Sequence, residues 1–212
     1  MYVDLERAFG LESFRTIFDV GANAGQSALA YLRYFPQSTI YSFEPVRSTY
    51  RKLEHATRPH PRIRTFCCAM GKEKSTGQIN VNPDDSRSSI LHARPEDETE
   101  SIALDSVSHF ARENRIDTID FLKIDTEGYE LEVLKGSVQL LACQRIHLVL
   151  AECAPLAKNN GFVSYPALTD FFWRFKYELF GIYEQQLHWD GKKCIQYFNA
   201  LFVCEHFIDR NR

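Results

Sequence analysis

The sequence predicts an α/β protein built on a mainly parallel, doubly wound sheet. Short apolar runs alternate with segments whose apolar residues recur at helical spacing, which is typical of β-α-β units. A glycine-rich turn and a helical segment directly follow the first apolar run, as in folds that bind ligands at the carboxyl ends of parallel strands. The last two apolar runs, with the turn DGKK between them, predict an antiparallel addition at one edge.

The strands are predicted from apolar, β-branched and aromatic runs that end at glycine, proline or charged residues. TIFDV stops at a glycine-rich turn, STIYSF stops at Glu44-Pro45, and IHLVLAEC is apolar almost to its end. The predicted strands are residues 16–20, 38–43, 63–70, 119–124, 146–153, 177–186 and 194–204, with an added strand over 76–81.

The helices are predicted between these strands from apolar residues three or four positions apart. The amphipathic segment 129–141 is expected to be one continuous helix, and Asp105 is the expected N-cap of a helix over 104–114. The other predicted helices are residues 26–35, 47–55 and 165–175. Residues 82–101 are rich in Pro, Asp, Glu and Ser, and this composition predicts a long surface loop.

Length and composition predict one globular domain over residues 1–212. Hydrophobic residues make up 44% of the chain and charged residues 25%, which excludes a disordered chain or a fibre. The 25 basic and 28 acidic residues give a net charge of −3. This charge argues against a nucleic-acid partner, because proteins that bind phosphate backbones are normally basic.

The sequence also predicts a cytoplasmic protein. No apolar run approaches the roughly 18 residues that a membrane-spanning helix needs. The first ten residues contain acids and lack the apolar core of a signal peptide. The six cysteines form no CxxC pair and no zinc-ligand spacing, which indicates free thiols and no cysteine metal site.

The turn after the first strand, from Asp19 to Gly25, predicts a ligand-binding loop. Its glycines let a ligand approach the backbone closely, and the helix that follows presents free N–H groups. Glu44 ends the second strand about 20 residues after Gly25, where an acid can accept hydrogen bonds from both ribose hydroxyls. Together the two features indicate a nucleoside-containing cofactor. The G-x-N-x-G spacing counts against NAD or FAD, whose folds often carry G-x-G-x-x-G.

A second concentration of charge lies at the end of the strand over 119–124. Lys123, Asp125 and Glu127 alternate, so their side chains are expected on one side of an extended chain. Glu152 ends an apolar strand, where a carboxylate needs a partner or a ligand. These four residues are the candidate catalytic groups.

The chain contains, in this order, the segments DVGANAGQSALAYL, YSFEP, SSI, LDSV, FLKIDTEGYELEVLKG, LVLAE and NALFV. Together they resemble the FkbM-type methyltransferases, which are S-adenosylmethionine-dependent enzymes of the class I methyltransferase fold. The resemblance runs from Thr16 to Val203. Its most specific part is KIDTEGYE, which is similar to the family's K-I-D-V-E-G-x-E.

The resemblance implies a seven-stranded sheet with an antiparallel last strand, and methyl transfer to a hydroxyl of a saccharide or small secondary metabolite. It implies that the loop from Asp19 to Gly25 holds the methionine part of the cofactor, that Glu44 binds the ribose, and that residues 68–70 lie near the adenine. Ser88 and Ser89 match a serine-rich segment that borders the same pocket. The implied cofactor-binding residues are Asp19, Gly21, Asn23, Gly25, Gln26, Ser27, Glu44, Pro45, Ala69, Met70, Ser88 and Asp125.

Methyl transfer to oxygen needs a positioned acceptor and a base for the hydroxyl proton. Asp125 and Glu127 are the leading candidates for this base, followed by Glu152, while Lys123 orients a carboxylate or stabilises a developing alkoxide. A less favoured alternative places Mg²⁺ between the three acids, although no ligand spacing selects it.

Other assignments stay open from the sequence. His92 and His188 are alternative bases, and Tyr183 and Trp189 are candidates for stacking on a sugar. The rival functions are a nicotinamide-dependent oxidoreductase on a similar fold and a non-catalytic binding module. The sequence determines neither the acceptor nor the oligomeric state.

Overall fold

The computed structural model describes residues 1–81, 90, 98–156, 161–187 and 194–211. The strands are β1 (Thr16–Val20), β2 (Thr39–Phe43), β3 (Ile63–Phe66), β4 (Ala69–Met70), β5 (Ser75–Val81), β6 (Glu98–Asp105), β7 (Ile119–Ile124), β8 (Ile146–Cys153), β9 (Tyr177–Leu187) and β10 (Ile195–Cys204). The helices are α1 (Tyr2–Phe9), α2 (Gln26–Tyr34), α3 (Arg47–Thr57), α4 (Val107–Glu113), α5 (Glu130–Lys135), α6 (Val138–Ala142), α7 (Tyr165–Trp173) and α8 (Glu205–Arg210).

Seven strands form one sheet in the order β3-β2-β1-β7-β8-β10-β9. β10 is antiparallel to both of its neighbours, and every other pairing in this sheet is parallel. The predicted mainly parallel sheet with an antiparallel last strand is therefore confirmed. The expected antiparallel pair at one edge is confirmed as well: β9 and β10 pair antiparallel, with β10 beside β8 and β9 at the edge of the sheet.

The core lies on both faces of this sheet. All six residues of β7 are buried, including the charged Asp120 and Lys123, so these two side chains need partners inside the fold. On one face, Phe110 of α4 packs edge-on against Phe43 and Phe66, at centroid distances of 4.9 and 4.8 Å. Phe14, Phe35 and Phe121 form a second aromatic group. Because both faces of the large sheet are covered by apolar packing, polar side chains collect at the ends of its strands.

The predicted strand over 63–70 is divided between two sheets. β3 stays in the large sheet, whereas β4 pairs with β6 in a small three-stranded sheet that β5 completes. The added strand over 76–81 is confirmed as β5 of this sheet. The loop prediction was wrong for residues 98–101, which belong to β6. The small sheet is stabilised by a second apolar core, which consists of Val46, Ala69, Ile79, Ile102 and Leu104. These residues are distant in the sequence and come together only in the folded protein.

The predicted helix over 129–141 is interrupted between α5 and α6. A Cβ atom at Gly136 would lie 2.0 Å from the carbonyl oxygen of Gly71, so the backbones approach there more closely than any side chain permits. The expected cap of α4 was also wrong by one residue. Ser106 is the N-cap, and its hydroxyl accepts a hydrogen bond of 3.2 Å from the His109 N–H, whereas Asp105 pairs with the His109 ring.

Several expectations fall outside the described residues. They are the rest of the loop over 82–101 (residues 82–89 and 91–97) and the DGKK turn at 190–193. The assignment of one domain to residues 1–212 stays a prediction. In the described parts of the chain, no helix combines the length and the apolar character that crossing a membrane requires.

We expect Ser106→Ala to lower the free energy of unfolding by about 1 kcal/mol, because the first turn of α4 loses its side-chain acceptor. Ser108→Ala on the same helix is the matched control. The Ser108 hydroxyl is buried and has no hydrogen-bond partner among the described residues, so its removal should cost nothing. Urea denaturation of both variants measures the difference, and equal losses would contradict the assignment of Ser106 as the cap.

Candidate functional site

A cavity of about 360 Å³ opens at the carboxyl ends of β1, β2, β7 and β8. The strand order reverses between β1 and β7, and doubly wound sheets bind their ligands at such a switch point. β4 and β5 of the small sheet add an apolar wall, which contains Ala69, Met70 and Ile79. The cavity therefore has a polar floor of strand ends and an apolar side.

The turn after β1 is held by its neighbours on both sides. The N–H groups of Gly21 and Ala22 both donate to the carbonyl oxygen of Phe43 at 3.0 Å, which fixes the turn against β2. Gly21 has a φ of 75°, and a Cβ atom there would lie 1.8 Å from the carbonyl oxygen of Asp125. Only glycine fits where the turns after β1 and β7 touch.

Glu44 follows β2 and is only 7% exposed. Its Oε1 accepts a hydrogen bond from the Val46 N–H at 3.0 Å, and its Oε2 accepts one from the Asn23 N–H at 3.1 Å. Burial raises the pKa of Glu44 to about 7, although these two hydrogen bonds oppose the shift. An ionised carboxylate has about four acceptor positions, so each oxygen can still accept a hydroxyl from the cavity.

Lys123 joins the ends of β1 and β7. Its Nζ donates to the carbonyl oxygen of Gly21 at 2.7 Å and lies 3.3 Å from Asp19 Oδ1 and 3.2 Å from Asp125 Oδ2. Burial lowers the pKa of Lys123, but the two carboxylates outweigh burial and the net pKa is raised. The ammonium group thus stays charged and orients both acids. Ser27 completes the group by donating to Asp19 Oδ2 at 2.6 Å.

The turn after β7 is organised by Glu130, which the sequence analysis did not select. Glu130 Oε1 accepts hydrogen bonds from the Thr126 N–H, the Thr126 hydroxyl and the Gly128 N–H, at 3.0, 3.0 and 3.2 Å. Burial raises the pKa of Glu130, and these hydrogen bonds oppose the shift. Glu127 between them has a φ of 53°. The expected extended alternation was wrong here, because Glu130 draws the chain into a turn directly after Ile124.

Glu152 lies near the end of β8 and lines the same cavity. Burial raises its pKa to about 8, and the negative charges of Asp125, Glu127 and Glu130 add to the shift. A carboxylate with a pKa near neutrality is suited to accept a proton at physiological pH.

The cavity brings together nine of the predicted site residues, which are Gly21, Asn23, Glu44, Pro45, Ala69, Met70, Asp125, Glu127 and Glu152. Gln26, Ser27 and Lys123 line an adjoining cavity of about 400 Å³ that shares Gly21, Asn23 and Asp125 with the first. Asp19 and Gly25 line neither of these two cavities.

Some candidates lie elsewhere. The Tyr183 hydroxyl donates to Asp4 at 3.0 Å, and Tyr183 lines neither cavity. Five other candidates lie outside the described residues, namely Ser88, Ser89, His92, His188 and Trp189. Within the described ranges, no group of three or more His, Cys, Asp or Glu residues is arranged to hold a metal ion.

Sequence reasoning missed Ile79, Ile90, Tyr129 and Tyr197, which also line the cavity. Tyr129 directly follows the KIDTEG segment, and Ile79 lies on the predicted added strand. Both residues are therefore adjacent to sequence features that predict the site or the fold. No sequence pattern around Tyr197 predicts that it lines the cavity, because its position depends on the pairing of β10 with β8.

Residues 19–179 match the family model described as Methyltransferase FkbM domain. The chain belongs to this methyltransferase family. Two curated relatives are similar to this chain. Methyltransferase 1 of Beauveria bassiana is 28% identical over 142 residues, and Hexuronic acid methyltransferase AglP of Haloferax volcanii is 26% identical over 136 residues. These alignments cover 57% and 64% of this chain, and 57% and 54% of the relatives, so the chain spans little more than half of their length.

Solved structures of methyltransferases show the same fold as this FkbM-family chain. An rRNA methylase from Streptococcus thermophilus has a TM-score of 0.54 at 11% identity, covering 96% of this chain and 93% of its own. TrmK from M. capricolum, in complex with S-adenosyl-homocysteine, has a TM-score of 0.52 at 11% identity, covering 94% and 68%. At this identity the likeness establishes the class I methyltransferase fold.

We expect Glu130→Ala to lower the free energy of unfolding by about 2–4 kcal/mol, because three donors of the turn after β7 lose their acceptor. Glu130→Gln keeps an acceptor oxygen and should lose less than half as much. Thermal and urea denaturation measure both variants. If the alanine and glutamine variants are equally stable, Glu130 does not organise this turn.

Proposed function

We propose that the protein is an S-adenosylmethionine-dependent O-methyltransferase acting on a hydroxyl of a saccharide or small secondary metabolite. The observation that carries the proposal is the position of Glu44, whose buried carboxylate lines the cavity directly beside the glycine turn that follows β1. The family, the fold and the hexuronic acid methyltransferase among the relatives support it. The family match also favours methyl transfer over a nicotinamide-dependent oxidation.

The residues of the cavity fit this cofactor. Glu44 offers carboxylate oxygens to the ribose hydroxyls, and Pro45, Ala69 and Met70 offer apolar surface to the adenine. The start of α2, which directly follows the turn from Asp19 to Gly25, offers N–H groups to the methionine carboxylate. Gln26, Ser27 and Asp125, which line the adjoining cavity, complete the proposed binding set. When bound, S-adenosylmethionine supplies a methyl group already activated by a sulfonium.

Glu152 is the base that the geometry favours. Its raised pKa suits proton transfer near neutral pH, whereas the Asp125 carboxylate is already engaged by Lys123 at 3.2 Å. In this assignment Glu152 would take the hydroxyl proton of the acceptor, and S-adenosylmethionine would supply the methyl group and leave as S-adenosylhomocysteine. Lys123 orients Asp19 and Asp125, and Glu127 contacts the acceptor.

The acceptor is proposed to be a small molecule or saccharide rather than RNA. The net charge of −3 supports this choice, because an RNA-binding surface is normally basic. The likeness to an rRNA methylase concerns the fold alone. A cytoplasmic location is proposed as well, and six free cysteines support it.

S-adenosylhomocysteine should bind to the wild-type protein more tightly at pH 8 than at pH 6. The pKa of Glu44 is about 7, so lowering the pH protonates the carboxylate and removes acceptor positions for the ribose. If only the ionised form binds, the Kd should rise about tenfold over this range. Isothermal titration calorimetry measures the change. No binding at millimolar S-adenosylhomocysteine, or binding of NAD instead, would overturn the proposed function.

Two variants separate Glu44 from other acids in this experiment. Glu44→Gln should bind S-adenosylhomocysteine more weakly and without this dependence on pH. Glu152→Gln removes the other cavity acid whose pKa lies near neutrality, and should keep the wild-type dependence. A flat profile in Glu152→Gln would assign the pH effect to Glu152.

Glu152→Gln should lower kcat by roughly 10²–10⁴-fold, because an amide cannot accept the hydroxyl proton. The Kd for S-adenosylhomocysteine should change less than about threefold, since Glu152 lies on the acceptor side. In the wild-type enzyme, kcat/KM should rise with pH through about 8 as Glu152 ionises. Transfer of labelled methyl groups measures the rates, and an unchanged kcat in the variant would move the role of base to Asp125 or Glu127.

A further inference from the structure

The edge of the large sheet that β3 forms is strongly basic. Residues 47–64, which comprise α3, the turn after it and the first half of β3, contain six Lys or Arg residues and one acidic residue. Their net charge is therefore +5, whereas the whole chain has a net charge of −3. Positive charge is thus concentrated at one edge of an otherwise acidic protein.

Part of this basic edge is concave. A groove of about 600 Å³ lies between the second half of α3, the turn that follows and β3. Arg51, His55 and Arg58 line the groove at spacings of four and three residues, so they share one face of the helix. His60 of the turn and the single acid Glu54 also line it. The other lining residues are Thr57, Pro61, Ile63 and Thr65.

The two arginines of the groove lack protein partners among the described residues. Neither Arg51 nor Arg58 forms an ion pair with any of them, and Glu54 forms none either. Basic residues outside the groove are engaged: Arg47 Nε lies 3.4 Å from Glu100 Oε1, and Arg62 donates to the carbonyl oxygen of Gln37 at 3.0 Å. The unpaired guanidinium groups are therefore in the concave part of the edge.

The helix dipole does not account for this arrangement. It favours cations in the last turn of a helix, where His55 lies, but Arg51 is more than one turn before the end of α3. Cations that share a groove repel one another, and a concave surface of one charge sign concentrates its field on whatever enters. One unpaired acid against two arginines leaves the groove positive, so it is suited to an anion.

We propose that this groove, defined by Arg51, His55, Arg58 and His60, binds a compact ligand that carries two or more phosphate groups. Guanidinium groups donate paired N–H bonds to phosphate oxygens, and the two imidazole rings supply further N–H donors. Seven residues of helix separate Arg51 from Arg58, which is roughly 10 Å, so a ligand with several phosphate groups engages both more readily than a single ion. The inference does not depend on the proposed function, because the lining residues of the groove line neither cavity at the strand ends.

The distribution of charge favours a compact ligand over RNA. Arg62 and Arg64 alternate with Ile63 and Thr65 along the strand, so their side chains lie on the other face of β3 from the groove. Arg64 lies over the ring of Tyr41, 5.6 Å from its centroid. The basic side chains therefore form no continuous stripe along which a nucleic-acid backbone could run.

Isothermal titration calorimetry of the full chain with inorganic pyrophosphate tests the proposal. We expect saturable binding at one site with a Kd below about 1 mM, and binding of inorganic phosphate at least about tenfold weaker. Arg51→Gln and Arg58→Gln should each raise the Kd for pyrophosphate about tenfold, because each variant loses charge-assisted hydrogen bonds. Absence of saturable binding of pyrophosphate to the wild type would overturn the proposal.

Lys52→Gln is the matched control. Lys52 is the neighbour of Arg51 on α3 and is exposed, but it does not line the groove, so its Kd should stay within about twofold of the wild type. All three altered side chains are exposed, and an unchanged Tm shows that each variant is folded. Equal weakening in Lys52→Gln and Arg51→Gln would indicate diffuse attraction to a basic surface, and an unchanged Kd in both arginine variants would place pyrophosphate elsewhere. Either result overturns the assignment of the groove.

An RNA oligonucleotide provides the second comparison. Fluorescence anisotropy with a labelled oligouridine should show weaker binding than pyrophosphate and no greater loss in Arg51→Gln than in Lys52→Gln. Tighter binding of the oligonucleotide, with losses in Arg62→Gln and Arg64→Gln as large as in Arg51→Gln, would identify the whole edge as a nucleic-acid surface and overturn the compact ligand.

Discussion

The contact on which the site depends is the one between the Lys123 ammonium group and the ends of two neighbouring strands. Asp19 is fully buried, and a positive charge together with a hydrogen bond from Ser27 offsets the cost of burying its carboxylate. Lys123 supplies that charge from β7 and also donates to the carbonyl oxygen of Gly21 in the turn after β1. One side chain therefore fixes the relative position of both turns at the switch point of the sheet.

The turns themselves are defined by backbone contacts rather than by side-chain packing. The turn after β1 approaches Asp125 so closely that only Gly21 fits, and Phe43 accepts two of its N–H groups. Glu130 accepts hydrogen bonds from the N–H groups of Thr126 and Gly128 in the turn after β7. Glu127, between these two residues, has a left-handed backbone conformation beside the cavity. Rigid turns of this kind hold functional groups in place before a ligand arrives, which lowers the ordering that binding requires.

Local sequence determined the fold class and most of the strands. β1, β7 and β8 begin and end at the predicted residues, because strands buried on both faces are mostly apolar and the turns that bound them are not. The residues directly after them were predicted to form the site for the same topological reason, and Glu44, Asp125 and Glu152 do meet in one cavity. Residue type and strand position were sufficient for these assignments.

Only the tertiary structure decided features that depend on contacts between distant segments. The division of the strand over 63–70, the break at Gly136 and the placement of Tyr197 each follow from packing against a segment far away in the sequence. The raised pKa of Glu152 likewise depends on burial and on carboxylates from another turn. A sequence determines which residue types follow each strand, but charge state and cavity shape arise when those strands are brought together.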